Sequence, residues 1–120
     1  MKELTKQQLK AIEELSARVI YTRGELAEAL CEALGEDFTW ARGYVNGHSN
    51  SIVLFYGGKH IVQIGTYRYK DPKSVSIKYI LYGDYAYDFD YYGKVINAMK
   101  KVEIREGNCI TVKYESIIAE

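Results

Sequence analysis

The chain has 120 residues, 48% of them hydrophobic, and its 16 basic and 16 acidic side chains give zero formal net charge. A chain of this length builds one modest core and leaves no comfortable room for a second domain, so residues 1–120 read as a single α+β domain. The balanced charge excludes a general electrostatic draw to DNA, RNA or an anionic membrane.

Thr5-Lys6-Gln7-Gln8 has the spacing of a capping box, and Leu9, Ile12, Leu15, Val19 and Ile20 follow at helical intervals. The spacing predicts a helix over about 6–20. A second box, Thr22-Arg23-Gly24-Glu25, opens a stripe of Leu26, Leu30, Ala33 and Leu34 that Gly35 closes, so a tight helical pair is expected at the N-terminus. From Phe38 the chain turns to β-branched and aromatic residues. Turn signals at Asn46-Gly47 and Gly57-Gly58 predict strands over 39–45, 51–56 and 60–67. Asp71-Pro72 breaks the next loop. Beyond it, Val75, Ile77, Tyr79 and Leu81 alternate with Ser74, Ser76, Lys78 and Ile80, the pattern of a half-buried strand. Residues 84–92 read Asp-Tyr-Ala-Tyr-Asp-Phe-Asp-Tyr-Tyr, where all but Ala86 are aromatic or acidic. Such rings suit contact with something flat, and a packed sheet edge is the plainer reading. Val95, Ile96, Met99 and Val102 predict a short helix over 91–101, and Glu103 to Tyr114 a closing hairpin through Gly107-Asn108. The expected architecture is two N-terminal helices, an antiparallel sheet of five to six strands and one additional short helix. Sheet edges in so small a domain need covering, so a homodimer or higher homo-oligomer is expected.

Catalytic signatures are missing. His48 and His60 stand in a turn and a strand start, with no zinc-ligand spacing, nucleophile elbow or phosphate loop around them, so no enzyme activity and no cofactor is expected. Gly57-Gly58-Lys59 reads as a hairpin turn before it reads as a phosphate cradle. Asp84, Asp88 and Asp90 share one side of an extended segment but lack the glycine of a calcium loop, so no metal is expected. Cys31 and Cys109 look unpaired, and with no signal peptide or long apolar run the expected location is cytoplasmic.

Binding is better supported. Arg23, Arg42, Arg68 and Arg105 lie in or beside tyrosine-rich segments, and a guanidinium can fork onto phosphate or stack on a ring. Arg23 opens the second predicted helix, where free amides favour an anion and a cation opposes the dipole unless something negative compensates. A solvated turn arginine is the plain alternative, as is an edge-strand charge for Arg105. A winged helix-turn-helix would share the order of the N-terminal half, yet the segment Thr39 to Gly47 is a poor recognition helix, with two glycines, strong β formers and one arginine.

Two N-terminal helices with an arginine at their junction, the Tyr-Val-Asn-Gly-His hairpin, the stretch Ser-Val-Ser-Ile-Lys-Tyr-Ile, an aromatic-acidic loop and a late arginine resemble the phage anti-Thoeris proteins that act as signal sponges. The resemblance covers most of the chain and is carried by size, order and texture. It implies sequestration, without hydrolysis, of the cyclic ADP-ribose isomer made by a bacterial TIR-domain enzyme, in pockets formed between protomers, within the host cytoplasm. Carried onto this chain, it implies Arg23 and Arg105 as phosphate ligands, Tyr87 or Phe89 as stacking platform, and Asn97 as a partner of the sugar or base. The acidic run would then face the base or ribose, with the phosphates toward the arginines. A protein-binding inhibitor of a host defence complex and a purely structural phage protein are the other readings.

Overall fold

In the computed structural model, which describes residues 2–45, 48–70 and 74–117, two helices lie on one face of a seven-stranded antiparallel meander. The helices are α1 (Lys6–Ser16) and α2 (Arg23–Leu34), and the strands are β1 (Phe38–Val45), β2 (His48–Tyr56), β3 (His60–Lys70), β4 (Ser74–Tyr82), β5 (Tyr85–Phe89), β6 (Val95–Glu106) and β7 (Cys109–Ser116). Each strand pairs with its sequence neighbour, so the sheet order is the chain order. The expected turn at Asn46-Gly47 and the loop at Asp71-Pro72 lie outside the described residues.

Both predicted N-caps form, the first as a full capping box and the second without its return bond to Glu25. The Gln8 amide donates to Thr5 Oγ1 at 3.1 Å while the Thr5 amide donates to Gln8 Oε1 at 2.8 Å, completing the box. Thr22 Oγ1 accepts from the Glu25 amide at 3.1 Å, and Gly35, at φ +107°, ends α2 by donating to the Cys31 carbonyl. α1 stops at Ser16, short of the expected 20. Ser16 Oγ donates back to the Ile12 carbonyl, and the chain then leaves the helix so that Ile20 is buried and its carbonyl accepts from the Val75 amide at 2.7 Å. Gln8 Nε2 donates to the Leu34 carbonyl and ties the end of α2 to the start of α1.

The core lies between the helical layer and one sheet face. Ile12, Leu15, Leu26 and Leu30 meet Leu54, Val62, Ile77, Ile80, Tyr87 and Phe89 there. Tyrosines fill much of it, since Tyr82 lies within 6.5 Å of Phe38, Tyr56, Tyr85 and Tyr87 between ring centroids. The Tyr82 hydroxyl donates to the Lys2 carbonyl, and the Tyr87 hydroxyl accepts from the Leu4 amide at 2.8 Å, which fastens the N-terminal segment across the sheet. Burial raises both phenols, and Tyr87 is pushed up to about 12, the Leu4 hydrogen bond offsetting part of the effect. In the unfolded chain these groups ionise near about 10. Their neutral forms therefore stabilise the fold fully below pH ~10, and that contribution is lost as pH rises through the folded values. In an alkaline titration the last part of the tyrosinate absorbance should appear only together with loss of circular dichroism, above about pH 10; ionisation of all tyrosines with the fold intact would contradict this burial.

Two expectations are corrected. The segment 91–101 is not a helix: Asp90 to Gly93 form a turn and β6 starts at Val95, pairing with β5 on one side and β7 on the other. The helical spacing of its apolar residues is genuine, but the strand partners on either side and the β-branched Val95 and Ile96 decide the outcome. With β5 also formed, the sheet has seven strands and no third helix is present among the described residues. The alternation in β4 is also interrupted. Gly65 pairs with Tyr79 but Thr66 pairs with Ile77, so Lys78 is an extra residue in a bulge, and Ile77 and Ile80 both reach the core.

Candidate functional site

The sheet forks between its second and third strands. Among the described residues β2 and β3 pair only over Leu54–Tyr56 with His60–Val62. Beyond that point β2 follows β1 back to Val45↔His48, while β3 follows β4 to Lys70↔Ser74. Two ribbons therefore diverge, and between them lies a cleft of about 630 Å³. Arg23 and Leu26 close it on the helix side, and Ile52, Val53, Val62, Ile64, Gly65 and Tyr79 line the rest. Tyr79 owes its position to Gly65, since a Cβ there would come within 2.0 Å of the tyrosine ring. The ring thus lies flat across the facing glycine on the helix-free side of the sheet.

Of two arginines, Arg23 lines the cleft and Arg42 does not, and both meet the first turn of α2. Arg23 is its first residue, and the Arg42 guanidinium, from the strand pair Arg42↔Ile52, packs against Gly24. A Cβ at position 24 would stand 2.5 Å from an Arg42 terminal nitrogen, so this approach needs a glycine. Trp40 supports the same guanidinium, 5.9 Å from ring centroid to Cζ. In this first turn the Glu25 amide is taken by Thr22 Oγ1 and the Leu26 amide by the Thr22 carbonyl. Both arginines are exposed, and the one ion pair among the described residues is Lys113 with Glu115 at 3.3 Å. Arg23 and Arg42 bring two cations to the positive end of α2, where the acidic residue of the first turn, Glu25, accepts from the Tyr21 amide at 3.5 Å.

The residues singled out from sequence do not converge on one place. Arg23 lines the cleft. Tyr87 and Phe89 are 1% and 0% exposed, with their rings in the core under the helical layer, so neither offers a free face for stacking. Asn97 sits on the helix-free face, half-buried, directly opposite Asp88, which is in turn opposite Tyr79. Arg105 pairs with Ile110 near the tip of the β6–β7 hairpin. It stands three strands from the cleft, roughly 14 Å across, and about 17 Å past the last β5 pairing. The aromatic able to face a ligand in the cleft is Tyr79, which strand alternation alone did not distinguish. Arg42 carried a sequence signal, a glycine in the first turn of the second predicted helix, but nothing local says which side chain fills the space that Gly24 leaves.

The acidic run is also dispersed. Asp84 is exposed in the β4–β5 turn, Asp88 is half-buried, and Asp90 Oδ1 accepts from the Tyr92 and Lys94 amides at 2.8 and 3.0 Å. Among the described residues no three His, Cys, Asp or Glu side chains gather as metal ligands, and no helix is long and apolar enough to cross a membrane. A second cavity, of about 710 Å³, lies under the N-terminal segment against Leu4, Leu9, Tyr87, Val95, Ala98 and Ile117. Its rim mixes Lys6, Lys10 and Lys94 with Glu3 and Glu13, which suits an anion less well than the arginine-flanked cleft.

The fold and cleft together define an α+β protein with a two-helix layer on an antiparallel meander and a cationic notch where the sheet forks. No family model matches the chain, and neither a curated protein nor a solved structure shows significant similarity to it.

Proposed function

We propose that the protein binds a small anionic nucleotide without transforming it, and that the ligand is a cyclic ADP-ribose isomer whose sequestration antagonises a bacterial anti-phage defence. The observation that supports this reading is the meeting of Arg23 and Arg42 at the first turn of α2 beside a cleft of about 630 Å³. That volume falls in the range of small-molecule sites. In the proposed pose the pyrophosphate lies between the two guanidinium groups and the helix terminus, and the base or ribose enters the fork against Tyr79. The acidic residues of β5 and its turns lie outside the cleft lining, while Glu25 shares the helical turn of the proposed phosphate position. The choice of a cyclic ADP-ribose isomer comes from the resemblance noted above, and so does the expectation that the functional form is a homo-oligomer in the host cytoplasm.

A sponge must outcompete a receptor, which requires nanomolar binding of about −12 kcal/mol. Charge-assisted contacts of about 1.5 to 3 kcal/mol each supply part of this, and enclosure of the base supplies the remainder. Calorimetric titration with cyclic ADP-ribose isomers should give saturable binding, with the ligand recovered intact after denaturation. Arg23→Ala and Arg42→Ala should each weaken it roughly 10- to 100-fold with the melting temperature unchanged. Cleaved product would instead identify an enzyme, and no heat with any isomer or with ADP-ribose would sink the nucleotide reading. A protein-binding inhibitor is the second reading, supported by Tyr92, 71% exposed, beside Tyr91 in the turn after β5. Stoichiometric recovery of one host protein together with no nucleotide binding would favour it.

A further inference from the structure

The last two strands extend past the rest of the sheet. β5 pairs with β6 only as far as Tyr85↔Lys100, so Lys101–Glu106 and Cys109–Tyr114 form a two-stranded arm. The molecule is accordingly elongated, with extents of 53 × 37 × 26 Å and a radius of gyration of 15.4 Å, against roughly 13.6 Å for a compact chain of this length. Two-stranded ribbons are marginal by themselves in water.

The two edges of this arm differ. The Lys101 amide donates to the Asp84 carbonyl on the β5 side, so with strand alternation Lys101, Glu103 and Arg105 turn their backbone groups to that edge. All three are charged, which is how natural sheets protect an open edge. Arg105 therefore has a place in the fold independent of any ligand. On the other strand the Ile117 amide donates to the Ala98 carbonyl, and pairing then runs without a shift to Glu106↔Cys109. The backbone groups of Cys109, Thr111, Lys113 and Glu115 therefore face β6, and those of Ile110, Val112 and Tyr114 face outward. These three side chains are 59%, 45% and 59% exposed. The edge has neither a proline nor a bulge along Cys109–Ser116, and the two charges of β7, Lys113 and Glu115, pair with each other on the opposite face. The opposite edge of the sheet is blunted, since β1 is irregular between Gly43 and Val45 and α2 packs on it.

We infer that β7 is the contact edge for a second copy of this chain, pairing antiparallel about a two-fold axis at Val112. In that register Val112 faces its own counterpart and Ile110 faces the partner's Tyr114, so apolar side chains meet in a continuous row and aromatic and β-branched residues pair across the strands. On the other face Lys113 meets a threonine and Glu115 a cysteine, so no like charges stand opposite. A register centred one residue later would set the two Lys113 side chains against each other. The same surface on both chains makes the contact closed and two-fold, giving a continuous fourteen-stranded sheet. A strand pair of this length is a small interface beside the roughly 800 Å² per partner of stable complexes, so the dimer should dissociate on dilution. This inference stands apart from the nucleotide reading, because β7 lies far from the cleft.

Sedimentation over a concentration series should show a monomer–dimer equilibrium. Val112→Pro removes only an outward-facing amide, which an edge strand tolerates, and should shift the protein to monomer while leaving nucleotide binding and the melting temperature nearly unchanged. Ile110→Lys with Tyr114→Lys should do the same without altering the backbone. In a Cys31→Ser, Cys109→Ser background, Val112→Cys should form an intermolecular disulfide under mild oxidation. Lys113→Cys should not, because its Cα atoms would be about 8 Å apart across the axis. A monomer at every concentration, a dimer indifferent to Val112→Pro, or cross-linking through position 113 in place of 112 would each overturn the inference. No nucleotide binding by the unaltered protein, with the Val112-dependent dimer present, would mean that the cleft reading fails while the edge stands.

Discussion

Phe89→Ala should cost the fold about 3 to 5 kcal/mol, the range for emptying a buried aromatic site, and in a domain of this size that is a large part of total stability. Phe89 is fully buried on the inner face of β5, next to Tyr87, which is 1% exposed and tied to the N-terminal segment by the Leu4 amide. Cutting the ring back leaves a cavity beneath the helical layer, and strands on both sides of β5 limit its collapse. Urea denaturation should show the midpoint falling steeply with little change in slope. The opposite result is equally informative: unchanged stability with lost ligand affinity would return Phe89 to the role of stacking platform and contradict its burial. Tyr79→Ala supplies the contrast. Its ring is half-buried on the helix-free face, so the cleft reading predicts a smaller stability change and a larger effect on binding.

Gly93→Ala should be nearly as damaging, for a different reason. Gly93 has φ +81° in the turn between β5 and β6, a conformation that costs a side-chain-bearing residue about 1 to 2 kcal/mol. The space is also occupied. A Cβ would come within 2.4 Å of Ser16 Oγ and 2.6 Å of Ser16 Cβ, and would stand 3.0 Å from the Glu13 Cα in α1. Helix backbone cannot swing aside as a flexible side chain can, so overpacking adds about 1 to 3 kcal/mol more. Gly107 is the internal control, with φ +61° and open space around it, so Gly107→Ala should cost the conformational part alone. Thermal melting of both variants separates the two contributions. Equal losses would mean that contact between this turn and α1 is unimportant. Amide exchange should also show α1 and the β5–β6 turn losing protection together in the Gly93 variant.

Local chemistry was legible wherever the deciding partner lay within a few residues. The Thr5–Gln8 box, the Thr22 cap, Gly35 and the Gly107-Asn108 hairpin behave as their spacing predicts, although Glu25 accepts from the Tyr21 amide and leaves the second box half formed, because a cap or tight turn is completed by neighbours in the chain. The segment 91–101 failed for the complementary reason. Its apolar residues fit a helical stripe, yet β5 leaves an open ladder that only a strand can complete. The aromatic run shows the same limit. Its composition was visible, but β5 is flanked on both sides and Tyr85, Tyr87 and Phe89 point at the helices, so Tyr87 and Phe89 are inside while Tyr91 and Tyr92, in the turn that follows, stay exposed.

The candidate site divides in the same way. The sequence by itself determined that Arg23 opens a helix behind a threonine cap, that the domain is α+β, and that its turns fall near glycines, since each of these depends on hydrogen bonds and torsions among adjacent residues. Only the tertiary structure decided that Arg42 crosses to Gly24, that Tyr79 lies over Gly65 where the sheet forks, that Phe89 is interior, and that Arg105 stands on a distant arm. Those outcomes depend on strand register and on the placement of bulges such as the one at Lys78, where a single extra residue changes which side chains share a face, and no short stretch of chain specifies that choice.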